Sequence, residues 1–188
     1  MNIVDGIFLN GNDKEVDGTR GIAPIFTAEK HKITFLGTGF FITMNGLMLT
    51  AKHVLFNADE ELHKNLFILQ NLGNNKVLKR NIFKTYFNSS DAAVLLPDNH
   101  ILRETGKPLP NLFVNLTLKN PPKGEEIISY GYPKTKVNQN ENLINIQVAG
   151  CFHAGAIEEY YESGFGLLNN SCYLSSMHIQ GGQVEDRL

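Results

Sequence analysis

Short β-rich runs follow one another through the first half of the chain at roughly ten-residue spacing. They are Ile22–Thr27, Ile33–Thr43, Leu47–Thr50, Leu66–Gln70, Lys76–Phe87 and Ala92–Leu96. Clusters of Gly, Asn and Asp separate them, such as Met44-Asn45-Gly46 and Leu72-Gly73-Asn74-Asn75. No stretch carries a long helical period, so the pattern predicts a β-sandwich or barrel. Asn45-Gly46 between two apolar runs predicts a hairpin, because a type I′ turn needs positive φ at both central residues. Thr50–Asn57 is expected to form a short helix.

The segment Asp98–Pro110 is polar and ends in Lys107-Pro108-Leu109-Pro110, where proline disfavours a central strand. It reads as a linker. The expected organisation is an N-terminal arm (1–20), a first β-unit (21–97), a linker (98–111) and a second β-unit (112–188). Strands of the second unit are expected at Phe113–Leu118, Glu126–Tyr130, Leu143–Phe152 and Phe165–Leu174. Glu158–Glu162 reads as a solvated loop or one helical turn.

Charge and composition exclude several functions. In 188 residues, 17 Lys and Arg face 19 Asp and Glu, which leaves a formal charge of −2. No bulk positive field is available for nucleic acid, so no nucleic-acid partner is expected. No apolar run approaches the roughly 18 residues of a spanning helix, and no membrane partner is expected. The six histidines show no metal-ligand spacing, so neither a metal nor a cofactor is expected. Met1–Asn10 lacks a basic region followed by an apolar stretch, which makes the cytoplasm the expected compartment, with Cys151 and Cys172 reduced.

The chemically informative block is Phe35-Leu36-Gly37-Thr38-Gly39-Phe40-Phe41-Ile42, followed by the Asn-Gly turn and then Thr50-Ala51-Lys52-His53-Val54. Thirty-eight residues after His53 comes Asp91-Ala92-Ala93-Val94-Leu95, an acid entering a strand. Taken singly, His53 is an ordinary histidine and Asp91 an ordinary turn residue. Together they resemble the first half of a trypsin-like serine peptidase, most closely the bacterial HtrA-related group. Lys52 departs from the family, where a small residue is commoner. The resemblance implies that His53 is the general base and that Asp91 fixes its tautomer and stabilises the imidazolium. Gly124–Pro133, with its Gly131-Tyr132-Pro133, resembles the Gly-Tyr-Pro segment of the family's second barrel, which supports the fold and carries no chemistry.

The implied fold is all-β: two antiparallel Greek-key β-barrels with the site in the cleft between them. The family nucleophile lies in Gly-x-Ser-Gly-Gly-Pro-Val, whose backbone N–H groups form the oxyanion hole. Here two alignments are open. In one, Gly182-Gln183 is the Gly-x and Val184 takes the serine position. In the other, Gln180-Gly181-Gly182-Gln183-Val184 replaces Ser-Gly-Gly-Pro-Val, and Gln180 takes it. The first is preferred, and neither supplies a nucleophile. Ser175, Ser176 and Cys172 fall too early, on an expected strand. The second barrel is therefore expected to be incomplete, with a partner that could supply the missing edge. The implied activity is serine endopeptidase, acting on peptide or protein substrates, with this chain inactive for want of its serine. The alternatives are an inactive homologue that binds peptides, or an inactive fragment.

Overall fold

A computed structural model describes the chain except residues 1–6, 10–14, 88–89, 118, 141–142, 167–170 and 179–188. In chain order, β1 is Ile7–Leu9, β2 Glu15–Asp17, β3 Ile22–Glu29, β4 Lys32–Phe41, β5 Met48–Ala51 and β6 Leu66–Gly73. There follow β7 Lys76–Phe87, β8 Ala92–Pro97, β9 Glu126–Gly131, β10 Lys136–Gln139, β11 Ile144–Gln147, β12 Cys151–Tyr161 and β13 Cys172–Ser175. Helical structure among the described residues is confined to two 3-10 helices, Gly18–Gly21 and Lys52–Leu55. The fold is all-β.

Strands β3-β4-β5-β8-β7-β6 close into an antiparallel barrel, sealed where Ile25, Phe26 and Thr27 of β3 pair with Ile68, Phe67 and Leu66 of β6. Closure removes the free edges that would otherwise invite aggregation. Strand alternation fills the interior: Ala23, Ile25, Phe41, Met48, Ile68, Ala93 and Leu95 are buried together, with Leu55 of the second 3-10 helix. β3 is buried continuously from Ile22 to Thr27 because both of its faces are covered. Ala23 and Ile25 point into the barrel, whereas Ile22 and Phe26 pack outward with Phe67, Tyr132 and Val148.

Two tight turns have both central residues in the left-handed region: Lys30-His31 (φ +48° and +64°) and Asn74-Asn75 (φ +50° and +59°). The expected type I′ turn at Asn45-Gly46 does not form. That hairpin exists, but its loop is longer, closed by Ile42 N–H to Leu47 C=O (2.8 Å), and Gly46 alone has positive φ there (+99°). A side chain at Gly46 would meet Asn111 Nδ2 at 3.1 Å and Arg80 Nη2 at 3.2 Å, so the glycine also admits the polar plug beneath it. In that plug the buried Arg80 guanidinium donates to Gln70 Oε1 (2.9 Å), Asn111 Oδ1 (2.7 Å) and the Asp98 carbonyl (2.6 Å). Asn111 in turn donates to the Met44 carbonyl at 2.9 Å, which ties the segment after β8 to the barrel floor.

The second half differs from expectation in several places. Phe113–Leu118 forms no strand over its described residues, and Phe113, Val114 and Leu116 are exposed. Leu143–Phe152 divides into β11 and the start of β12, and β10 pairs with β11 in a hairpin that carried no clear sequence signal. Glu158–Tyr161, expected as a loop, belongs to β12, with Tyr160 opposite Tyr173. The Thr50–Asn57 helix shrinks to the single turn Lys52–Leu55. β9, β12 and β13 form a three-stranded antiparallel sheet in the order β13-β12-β9.

Tyr132 locks this half to the barrel. It is almost fully buried, its hydroxyl donates to the Ile22 carbonyl (3.1 Å), and its backbone N–H donates to Thr38 Oγ1 (3.2 Å). Burial pushes the Tyr132 phenol far above its ordinary value, so the hydroxyl stays a donor at all working pH. Tyr132→Phe strands the Ile22 carbonyl and should cost about 1–2 kcal/mol. Tyr132→Ala also empties the shared core and should cost about 3–5 kcal/mol. Urea unfolding checks both values and their order.

Candidate active site

The β5–β8 register builds the site. Ala51 pairs with Ala92 at the last rung, so the next residue on one side, Lys52, faces the preceding residue on the other, Asp91. The Lys52 N–H donates to the Asp91 carbonyl at 3.2 Å and extends the ladder one step. The chain then turns through the 3-10 helix Lys52–Leu55, which lifts His53 over the barrel end beside Asp91. One carboxylate holds that histidine twice. Asp91 Oδ1 accepts the His53 backbone N–H at 2.9 Å, and Oδ2 lies 2.7 Å from ring Nδ1.

With the proton on Nδ1, the neutral ring keeps a lone pair on Nε2. The His53 side chain is 74% exposed, so that nitrogen is open to an incoming group. This arrangement suits a general base: the carboxylate fixes the tautomer and would stabilise the imidazolium formed on proton transfer. Partial burial pushes the Asp91 carboxyl up, but the His53 backbone N–H, the His53 ring and the Lys52 N–H together hold it below its ordinary value of 3.8. A depressed folded value means the carboxylate's contribution is present above the unfolded value and is lost as pH falls through the folded one.

The Gly37-Thr38-Gly39 motif has a packing explanation. A Cβ at Gly37 would lie 2.8 Å from both γ-carbons of Val54, so glycine there lets the helix that carries His53 settle onto β4. At Gly39 a Cβ would crowd Ile25, Met48 and the Leu49 carbonyl. Thr38 links three elements. Its carbonyl accepts the Thr50 hydroxyl (2.8 Å), and its own hydroxyl oxygen accepts the Tyr132 N–H. Sequence reasoning singled out His53 and Asp91 but gave Val54, Thr38 and Tyr132 no supporting role. Their signal lies in the Phe35–Val54 block, which holds Thr38 and Val54, and in Gly131-Tyr132-Pro133.

The fallback nucleophiles lie on β13 or directly after it. Ser175 ends β13 opposite Ile157. Ser176 Oγ accepts the Ala156 N–H at 2.9 Å, and the Ser176 N–H donates to the Ala156 carbonyl at 3.0 Å. Cys172 pairs with Tyr161. Among the described residues no hydrogen bond joins any of them to His53. Gln180, Gly181, Gly182, Gln183 and Val184 lie outside the described residues. Among the described residues no cluster of three or more His, Cys, Asp or Glu side chains could hold a metal ion.

A family model for the trypsin-like peptidase domain matches residues 37–184, and the chain belongs to that family. Solved structures with the same fold include the HtrA-type protease AlgW with decapeptide, at 14% identity and a TM-score of 0.54 over 87% of this chain and 50% of that one. Deg5 is similar at 16% identity and a TM-score of 0.59, covering 87% and 71%. The apo MamO protease domain from Magnetospirillum magneticum is similar at 10% identity and a TM-score of 0.53, covering 84% and 71%. The chain thus spans half the length of the AlgW chain. No curated protein matches the sequence.

Gly37→Ala should displace Val54 and cost about 1–3 kcal/mol through overpacking. Adding Val54→Ala should restore most of that loss, because the new methyl then has room. Thermal melts of the single and double variants measure the coupling.

Proposed function

We propose that this domain acts on peptide substrates, with His53 as the general base and Asp91 as the carboxylate that orients it. The observation that carries the reading is the double grip of Asp91 on His53, through both ring and backbone. A serine hydroxyl is a weak nucleophile until such a base removes its proton, and the same imidazolium then protonates the leaving amine. The 188 residues contain no Gly-x-Ser-Gly-Gly-Pro sequence. We therefore read this chain as the base half of a serine peptidase's machinery, with the nucleophile missing from these residues and no acyl-enzyme formed on them.

One observation favours a second reading, a peptide-binding homologue. In the β13-β12-β9 sheet the outer strands β9 and β13 each have a neighbour on one side only among the described residues. Ile128 on β9 is 70% exposed, and Phe152 opposite Tyr130 is also exposed. Such an edge can take an added strand, from a bound peptide or from a partner that completes the second barrel.

Labelling with a fluorophosphonate probe tests the main reading. The folded wild-type chain and its His53→Ala variant should both remain unlabelled. Labelling of the wild type that disappears in His53→Ala would reveal a recruited serine and overturn the assignment of a missing nucleophile.

A further inference from the structure

We infer that Glu29 is a positioning residue for His53: it holds the downstream end of the turn that carries the base, and it acts through His63. The inference rests on His53 serving as that base.

A single 3-10 turn supports a reacting group poorly, because its hydrogen bonds are badly aligned. The turn Lys52–Leu55 has this weakness. No side chain caps its start, and the bond at its end, from the Phe56 N–H to the His53 carbonyl, is long at 3.4 Å. Its geometry is therefore held from outside. Asp91 holds the first two residues, accepting the Lys52 N–H on its carbonyl and the His53 N–H on Oδ1. The last residue is held by a different element. The His63 backbone N–H donates to the Leu55 carbonyl at 2.9 Å, and Phe56 bridges to Leu62.

The loop between these contacts is tied across its neck. The Asn57 N–H donates to the Glu61 carbonyl at 2.9 Å, and the Asn57 side-chain oxygen accepts the Asp59 and Glu61 N–H groups, both at 2.9 Å. A loop bonded in this way moves as a unit, so a displacement of His63 reaches Leu55.

Glu29 fixes the neck to the end of β3. Its Oε1 accepts the Lys64 N–H at 2.7 Å and lies 3.2 Å from His63 Nδ1. The Thr27 hydroxyl donates to the Lys64 carbonyl at 2.6 Å, and Asn65 Nδ2 donates to the Ala28 carbonyl at 3.0 Å. The arrangement repeats the one at Asp91: a carboxylate takes one histidine Nδ1 and one backbone N–H. The two grips bracket the segment from His53 to Lys64. The Lys64 N–H holds the Glu29 carboxyl below its ordinary value of 4.5 against the cost of desolvation, and the His63 ring adds to the effect. Lys32 stands opposite Glu29 in the β3–β4 register, yet no ion pair joins them among the described residues. The side-chain bonds of Glu29 go instead to Thr27, His63 and Lys64.

NMR of the full chain with Glu29→Ala and Glu29→Gln tests the inference. Glu29 belongs to neither apolar core, so both variants should keep the fold. In Glu29→Ala the His53 amide hydrogen should exchange about tenfold faster, the scale of one hydrogen bond. The Asp91 carboxyl midpoint should rise, because the displaced His53 ring and N–H bind it less well. Loss of a negative charge alone would move a neighbouring carboxyl down, so the direction separates positioning from electrostatics. His63→Ala, which removes one of the two bonds from the neck to Glu29, should give a smaller rise. Glu29→Gln keeps an acceptor of the same reach and should show neither the faster exchange nor the rise. An unchanged or lower Asp91 midpoint in Glu29→Ala would overturn the inference, as would a rise in Glu29→Gln equal to that in Glu29→Ala. A wild-type midpoint at or above 3.8 would instead contradict the His53–Asp91 pairing beneath it.

Discussion

The double hydrogen bond from His53 to Asp91 is the interaction on which the rest of this structure is organised. It exists because β5 and β8 are neighbours in a closed barrel, paired so that the strand leading to His53 ends level with the strand that starts after Asp91. A slip of one residue would turn every β8 side chain to the opposite face. Ala93, Leu95 and Pro97 would then leave the interior, so the packing of the core and the alignment of the site are one constraint. The His53–Asp91 pair inherits its precision from the apolar packing of the barrel beneath it.

A second constraint links the halves. Thr38 lies between the two glycines that admit Val54 on one side and Ile25 with Met48 on the other, and it bonds to Thr50 and Tyr132. The strand that supports the His53 helix is therefore also the strand to which the second half is fastened. Tyr132 and Val148 cover the outer face of β3, which is why that strand reads as a continuous apolar run. Any change in the fit of the second half would be felt first at Thr38, which adjoins Gly37 where Val54 packs.

Much of the first barrel was legible because its strands alternate and its turns carry Gly, Asn and Asp. His53 and Asp91 were legible because each sits in a short motif whose neighbours are dictated by strand ends. The Lys30-His31 turn was not legible, since neither residue advertises a left-handed conformation. Phe113–Leu118 looked like a strand by composition, yet the backbone there finds its partner in the Phe41 carbonyl, which accepts the Val114 N–H at 2.8 Å. Glu158 and Glu159 made the end of β12 look like a solvated loop. They lie at exposed positions, and pairing with β13 outweighs their low strand propensity. β9 pairs with β12 across the β10–β11 hairpin that lies between them in sequence, and local pattern alone does not reveal such pairing.

The most direct test of the account is an NMR titration of the Asp91 side-chain carboxyl in the wild type and in His53→Ala. The double grip predicts a midpoint below 3.8 in the wild type. It predicts an upward move in His53→Ala, where the ring's hydrogen bond and charge are gone while the backbone N–H remains. A midpoint at or above 3.8 in the wild type, or the same midpoint in both proteins, would contradict a carboxylate bound to the His53 ring.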